Sequence, residues 1–172
     1  KTGNIVAGFY AGRTHNIIDH EDCLLAPEIN RKIIETIKNY MKQYKIRPYD
    51  EKSQQGIVRH VLIRQGYTTG EIMVCLVINC KSLPKAEQLV EQLKQIPGMT
   101  SISYNINCEN TNVILGETVV TLYGPGYITD FIGTIQYQIS PQSFFQVNPI
   151  QTEKLYETAL EYAGLTGNEI VW

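Results

Sequence analysis

The sequence predicts an α+β fold, a largely antiparallel sheet with two flanking helices. Three observations carry this expectation. Runs with apolar residues at alternate positions recur along the chain, as at Ile135, Tyr137 and Ile139, the period of a half-buried strand. Glu28 to Tyr44 and Pro84 to Ile96 instead repeat apolar residues three and four apart, the period of a helix with one buried face. Two strand-like runs, Ile57 to Gln65 and Glu71 to Asn79, are separated by Gly66-Tyr67-Thr68-Thr69-Gly70, which suits a hairpin.

Taken in order, Lys1 to Asp19 reads as two short strands around a turn region at Gly8 to Gly12. A loop, Asp22-Cys23-Leu24-Leu25-Ala26-Pro27, leads into the first helix. Its stripe is Ile29, Ile33, Ile34, Ile37, Tyr40, Met41 and Tyr44, with Arg31, Lys32, Lys38 and Lys42 facing water. Arg47-Pro48-Tyr49-Asp50 closes it. After the hairpin, Ser82-Leu83-Pro84 starts a second helix that buries Ala86, Leu89, Val90, Leu93 and Ile96 and stops at Pro97-Gly98. Met99 to Asn107 reads as a strand, which makes a strand–helix–strand unit.

Asn105, Asn107, Asn110 and Asn112 crowd the turn-rich connection that follows. Two further strands are expected near Glu117 to Leu122 and over Tyr127 to Ile139, broken by Gly124-Pro125-Gly126. Ser140-Pro141-Gln142-Ser143-Phe144-Phe145-Gln146-Val147-Asn148-Pro149 then joins a strand to a helix. Asn148 suits an N-cap, Pro149 the first helical position, and Gln151 a capping box. The helix carries Leu155, Tyr156, Ala159, Leu160 and Ala163 on one side and stops at Gly164. Glu169-Ile170-Val171-Trp172 reads as the opening of one more strand. A short turn between two regular elements presents side chains to a ligand from a rigid scaffold.

At 172 residues, 43% of them hydrophobic, the chain has enough apolar surface for one well-packed domain. No window has the apolar length of a membrane span, and no basic-then-apolar leader opens the chain, so the expectation is a cytoplasmic protein. The net charge of −2 gives no global sign of nucleic-acid binding. A bound RNA would have to meet a local basic patch. Cys23, Cys75, Cys80 and Cys108 have no metal-binding spacing. Cys75 and Cys80 fall in one apparent strand and point to opposite faces, and with Cys108 they read as small buried or half-buried residues.

Three stretches carry a resemblance. Ser143-Phe144-Phe145-Gln146-Val147-Asn148-Pro149 runs on to Gln151-Thr152-Glu153-Lys154-Leu155-Tyr156; before it stand Gly56-Ile57-Val58-Arg59-His60-Val61-Leu62-Ile63-Arg64 and Thr111-Asn112-Val113-Ile114-Leu115-Gly116. In this order they resemble the uracil-5 RNA methyltransferases, which use S-adenosylmethionine to make 5-methyluridine in ribosomal or transfer RNA. The likeness covers nearly the whole chain and is strongest to the bacterial 23S ribosomal-RNA branch. It implies a central α+β domain over 1–139. Residues 140–172 would then be a linker motif, the helix and the first strand of a Rossmann-like methyltransferase domain whose glycine-rich cofactor loop lies beyond Trp172.

The chemistry implied is attack of a cysteine thiolate on C6 of uracil, methylation of C5, and removal of the C5 proton by a carboxylate. In the family both groups lie far downstream, so no catalytic residue is expected in this chain and the isolated chain is expected to be inactive. The glutamine matching Gln146 contacts S-adenosylmethionine in the family; from the residues alone, its amide equally suits backbone groups of the turn. Phe144 matches an aromatic beside the flipped target base, or is a core phenylalanine. Phe145 reads as core and Asn148 as the helix cap.

Many members of the family hold a 4Fe-4S cluster on three early cysteines and a fourth in a stretch like that around Cys23. The resemblance therefore makes Cys23 the fourth ligand in a full-length protein, with no intact cluster in this chain; otherwise it is a buried thiol. Arg59, His60 and Arg64, with Arg47 and Arg13 as additions, form a basic run able to contact RNA phosphates, or a solvated strand face. Alternation puts His60 and Arg64 on one face and Arg59 on the other. His15 and His20 have no partner spacing. The partners expected are RNA, ribosomal before transfer, and the remaining N-terminal and catalytic domains, with no membrane. The rival readings are a stand-alone RNA-binding module and a small-molecule-binding or structural domain.

Overall fold

The computed structural model describes residues 5–14, 16–20, 23–24 and 26–171. The elements run β1 (Gly8–Tyr10), β2 (Ile17–Asp19), α1 (Ile29–Gln43), β3 (Val58–Gln65), β4 (Ile72–Ile78), α2 (Ala86–Leu93), β5 (Met99–Ile106), β6 (Thr118–Tyr123), β7 (Ile128–Ile132), β8 (Ile135–Ile139) and α3 (Pro149–Ala163). The central sheet has the order β3-β4-β5-β6, with two separate hairpins, β1-β2 and β7-β8. His15, Trp172 and part of the loop around Cys23 lie outside the described residues.

β4 is the axis of the molecule. Its sequence Ile72-Met73-Val74-Cys75-Leu76-Val77-Ile78 is apolar throughout, and every residue is buried, as in a strand covered on both faces. On one face Ile72, Val74, Leu76 and Ile78 join Ile102 and Tyr104 of β5 under α1 (Ile33, Ile37, Tyr40, Met41) and α2 (Leu89, Val90, Leu93). The Tyr40 hydroxyl donates to the Pro84 carbonyl and ties the two helices' ends. On the other face Met73 packs with Ile128, Ile139 and Phe145. The β7-β8 hairpin and the turn after it therefore roof the second face.

Several expectations are corrected. The sheet is mixed, not largely antiparallel. β3–β4 and β5–β6 are antiparallel, but β4 and β5 are parallel, because the helical crossover through α2 returns the chain in its original direction. The single strand expected over Tyr127 to Ile139 is two, folded back where Gly133 adopts φ +58°. The strand ends at Ile78, so the alternation that set Cys80 opposite Cys75 does not reach it. Cys108 is exposed rather than buried.

The C-terminal region differs most. α3 forms with the expected cap, the Asn148 Oδ1 accepting the Gln151 N–H at 3.1 Å, and Pro149 at its start. Its apolar side is not buried: Leu155 is 57% and Leu160 61% exposed, and Thr152 is its buried residue. Residues 169–171 form no strand. Glu169 instead closes a turn, its Oε2 accepting the N–H groups of Thr166, Gly167 and Asn168 at 2.9, 3.0 and 3.1 Å. The Thr166 hydroxyl first, and then those backbone bonds, hold its carboxyl down to about 2. Among the described residues no helix is long and apolar enough to cross a membrane.

Candidate functional site

The turn over 140–149 lies on the roofed face of the sheet and is fastened from three sides. Phe145 turns inward, half-buried, against Met73, Ile128 and Ile139 and at 5.8 Å from the Tyr137 ring. Arg64 at the end of β3 donates from Nη2 to the Ser143 carbonyl at 2.7 Å and, more weakly, to that of Pro141 at 3.5 Å. Gln142 donates from Nε2 to the Gly116 and Glu117 carbonyls at 3.0 and 3.3 Å. Inside the turn, Ser143 Oγ accepts the Ser140 N–H at 3.1 Å.

The partner of Gln142 is itself rigid. Asn105 is fully buried; its Nδ2 donates to the Gly116 and Thr118 carbonyls and its Oδ1 accepts the Gly116 N–H at 2.7 Å. Asn107, also buried, donates to the carbonyls of Val113 and Ile114. A side chain at Gly116 would put its Cβ 2.0 Å from the Ile106 carbonyl oxygen, so only glycine allows this approach. The loop quoted as Thr111 to Gly116 is thus pinned by two asparagines whose roles the sequence reading missed, although it noted their crowding.

From this frame Phe144 projects with 85% of its surface exposed. Burial in the core, the alternative reading of Phe144, does not occur. Gln146 is half-buried and its amide makes no hydrogen bond among the described residues. It therefore does not serve the turn's own backbone. The two neighbours Phe145 and Asn148 take the packing and capping roles expected of them. The arrangement is one exposed ring and one unengaged amide on a braced turn, an edge able to stack on a planar group and to donate and accept hydrogen bonds.

The basic run does not form one patch. β3 is irregular between Val58 and His60, so Arg59 falls at a bulge. Its Nη1 donates to the Asn107 and Glu109 carbonyls, each at 2.8 Å, and its guanidinium lies 4.6 Å from the Tyr49 ring centroid. Arg64 holds the turn, as described. His60 is half-buried beside the Tyr10 ring, and burial, reinforced by Arg59, pushes its pKa down. The shift favours the uncharged ring, which is the weaker partner for a phosphate. Arg13 and Arg47 are exposed.

Cys23 is half-buried on the wall of a separate cleft of about 680 Å³ between the β1-β2 hairpin, α1 and β3. The cleft also exposes Phe9, His20, Asn30 and the Lys38–Asp19 ion pair at 3.3 Å. A four-iron cluster needs four such ligands. Cys23 is the one cysteine lining the cleft, and among the described residues no three histidine, cysteine or acidic side chains converge on a metal position. These residues by themselves do not fit a cluster. Cys75 is fully buried and Cys80 half-buried, and burial raises both thiols.

No family model matches the chain. Its sequence is 45% identical over 171 residues to an uncharacterized RNA methyltransferase of Clostridium tetani, covering 99% of this chain and 37% of the relative. It is 46% identical over 172 residues to one of Halalkalibacterium halodurans, covering 99% and 38%. The chain thus spans well under half the length of these relatives. Among solved structures it is similar to the Pyrococcus abyssi tRNA (uracil-54, C5)-methyltransferase in complex with S-adenosyl-L-homocysteine, with a TM-score of 0.72 and 27% identity over 85% of this chain and 35% of that one.

Proposed function

We infer that a chain similar to RNA methyltransferases over 99% of its length is the central part of such an enzyme, one that transfers a methyl group from S-adenosylmethionine to C5 of a uridine in RNA. The observation that carries this reading is the braced 140–149 turn, with Phe144 85% exposed beside the unengaged amide of Gln146. The solved uracil-5 methyltransferase with bound S-adenosyl-L-homocysteine supports both the cofactor and the target atom. Residues 1–139 form the central domain, and 140–172 lead into the catalytic one. The exposed apolar side of α3, Leu155 with Leu160, supports a covering domain and speaks against a stand-alone module.

S-adenosylmethionine supplies the electrophilic methyl group. In this reading the Gln146 amide hydrogen-bonds the cofactor, and the Phe144 ring stacks on the extruded uracil, offsetting part of the few kcal/mol that unstacking costs. The rigid turn contributes placement, since a reacting carbon and a methyl donor must be held close and aligned. The thiolate nucleophile is not Cys75 or Cys80, because burial raises their pKa and a thiol is a weak nucleophile. In this reading, as the family resemblance implies, the nucleophile and the base lie outside this chain. The reaction belongs in the cytoplasm, where RNA is its partner.

Ribosomal RNA is the proposed substrate, and the test compares it with the alternative. Full-length enzyme is incubated with S-adenosylmethionine and unmodified transcripts of 23S ribosomal RNA or of transfer RNAs. Nucleosides are then separated and weighed. 5-Methyluridine in the ribosomal transcript is the expected result. Its appearance in transfer RNA alone would reassign the substrate, and methylation of another atom or base would overturn the reading.

A further inference from the structure

Arg64 is a costly residue where it stands. It is half-buried, burial lowers its pKa, and its Nε is buried with no hydrogen-bond partner. Among the described residues no carboxylate forms an ion pair with it. A half-buried cation without a counter-charge gives up part of its hydration and offsets that loss only through the hydrogen bonds it makes. What the guanidinium does make is a 2.7 Å bond to the carbonyl of Ser143, 79 residues away. That carbonyl belongs to the residue before Phe144.

The contacts around it explain why this carbonyl matters. Arg64 is the ladder partner of Met73, and Met73 is the residue against which Phe145 packs. The turn is thus held on both sides of Phe144, by Arg64 at Ser143 and by the apolar cluster at Phe145. With those two points fixed, the backbone at 144 has little freedom, and Phe144 and Gln146 leave the sheet in set directions. A charge-assisted bond to a carbonyl is stronger than a neutral one, and a fork of donors fixes orientation where lysine would not.

We propose that Arg64 is a positioning residue, which orients the Phe144–Gln146 edge toward cofactor and base by holding the Ser143 carbonyl, and that it makes no contact with RNA phosphate. The proposal rests on the functional reading of that turn. It predicts an effect on S-adenosylmethionine that depends on Gln146, whereas a phosphate contact would change RNA affinity and its salt dependence.

The test uses the full-length enzyme with Arg64→Met, Arg64→Lys, Gln146→Ala and the Arg64→Met/Gln146→Ala pair. S-adenosylmethionine binding is measured by calorimetry well below each variant's melting temperature, alongside kcat and KM for a uridine-containing transcript. Arg64→Met should weaken cofactor binding by about tenfold, the scale of one charge-assisted bond. Adding Gln146→Ala to it should cost less than about twofold more, since coupled sites are not additive. Arg64→Lys, which keeps a cation and serves as the second variant should Arg64→Met fail to fold, should recover only part of the affinity.

Unchanged cofactor affinity in folded Arg64→Met or Arg64→Lys would overturn the proposal. So would additive effects, or a change confined to the RNA KM and its salt slope. If the unsubstituted enzyme neither binds S-adenosylmethionine nor forms 5-methyluridine, the functional reading fails first and takes this assignment with it.

Discussion

The Asp130 carboxylate on β7 accepts the main-chain N–H of Tyr67 at 2.7 Å, and its other oxygen accepts that of Thr68 at 2.9 Å. Asp130 is 1% exposed. One buried carboxylate therefore fastens the β7-β8 hairpin onto the β3–β4 turn. Nearby, Thr69 Oγ1 donates to the Thr129 carbonyl and the Thr129 N–H donates to Glu71. These bonds seat the hairpin that, together with the functional turn, roofs the second face of the sheet.

Asp130→Ala should destabilise the chain by at least about 2 kcal/mol, because it strands two donors in a partly buried place. Asp130→Asn, which keeps a single acceptor oxygen, should fall between. Urea unfolding checks both, and a midpoint unchanged by Asp130→Ala would show the hairpin is held by packing alone.

The two phenylalanines should separate stability from activity. Phe145→Ala should cost about 1–2 kcal/mol, part of the ~1.5–3 kcal/mol of a fully buried aromatic side chain, because the ring is half-buried. Phe144→Ala, at a site 85% exposed, should stay within about 0.5 kcal/mol of the parent yet lower methyl transfer in the full-length enzyme. Melting curves and 5-methyluridine yield, measured on both variants, are the check.

Gln146→Ala should weaken S-adenosylmethionine binding by about 0.5–1.5 kcal/mol, the worth of one neutral hydrogen bond, while the melting temperature stays put. Calorimetric titration of the full-length enzyme reads the first and a thermal scan the second. A lowered melting temperature with unchanged affinity would make Gln146 a structural residue.

His60 gives the chain a pH dependence. Burial first and then Arg59 depress its pKa, against the opposing pull of Glu51, and the Tyr10 ring stands edge-on to it. The unfolded chain takes up this proton near pH 6.5, before the folded chain does. The unfolded state binds more protons there, so stability falls as pH drops below about 6.5 and the loss levels off once folded His60 also titrates. His60→Gln should flatten that slope. Urea midpoints measured between about pH 7.5 and 5 test it.

Much of this fold is written in short-range pattern. α1, α2 and the β3–β4 hairpin follow from apolar residues at helical or alternate spacing, and the start of α3 from Asn148 and Pro149. Each depends on neighbours two to four residues apart, where periodicity and caps act. The likeness of the Ser143–Pro149 motif to a known family was equally visible.

What depended on distant partners was not. The parallel pairing of β4 with β5 follows from the path of the crossover. The places of Arg59 and Arg64 follow from which carbonyls packing brings within reach, 48 and 79 residues away. Read along the strand they are exposed cations; in the folded chain they bind main-chain oxygens. The same holds for α3, whose apolar stripe predicts a buried face and whose Leu155 and Leu160 are open. A stripe encodes that a face can be covered, and only tertiary structure supplies the surface that covers it.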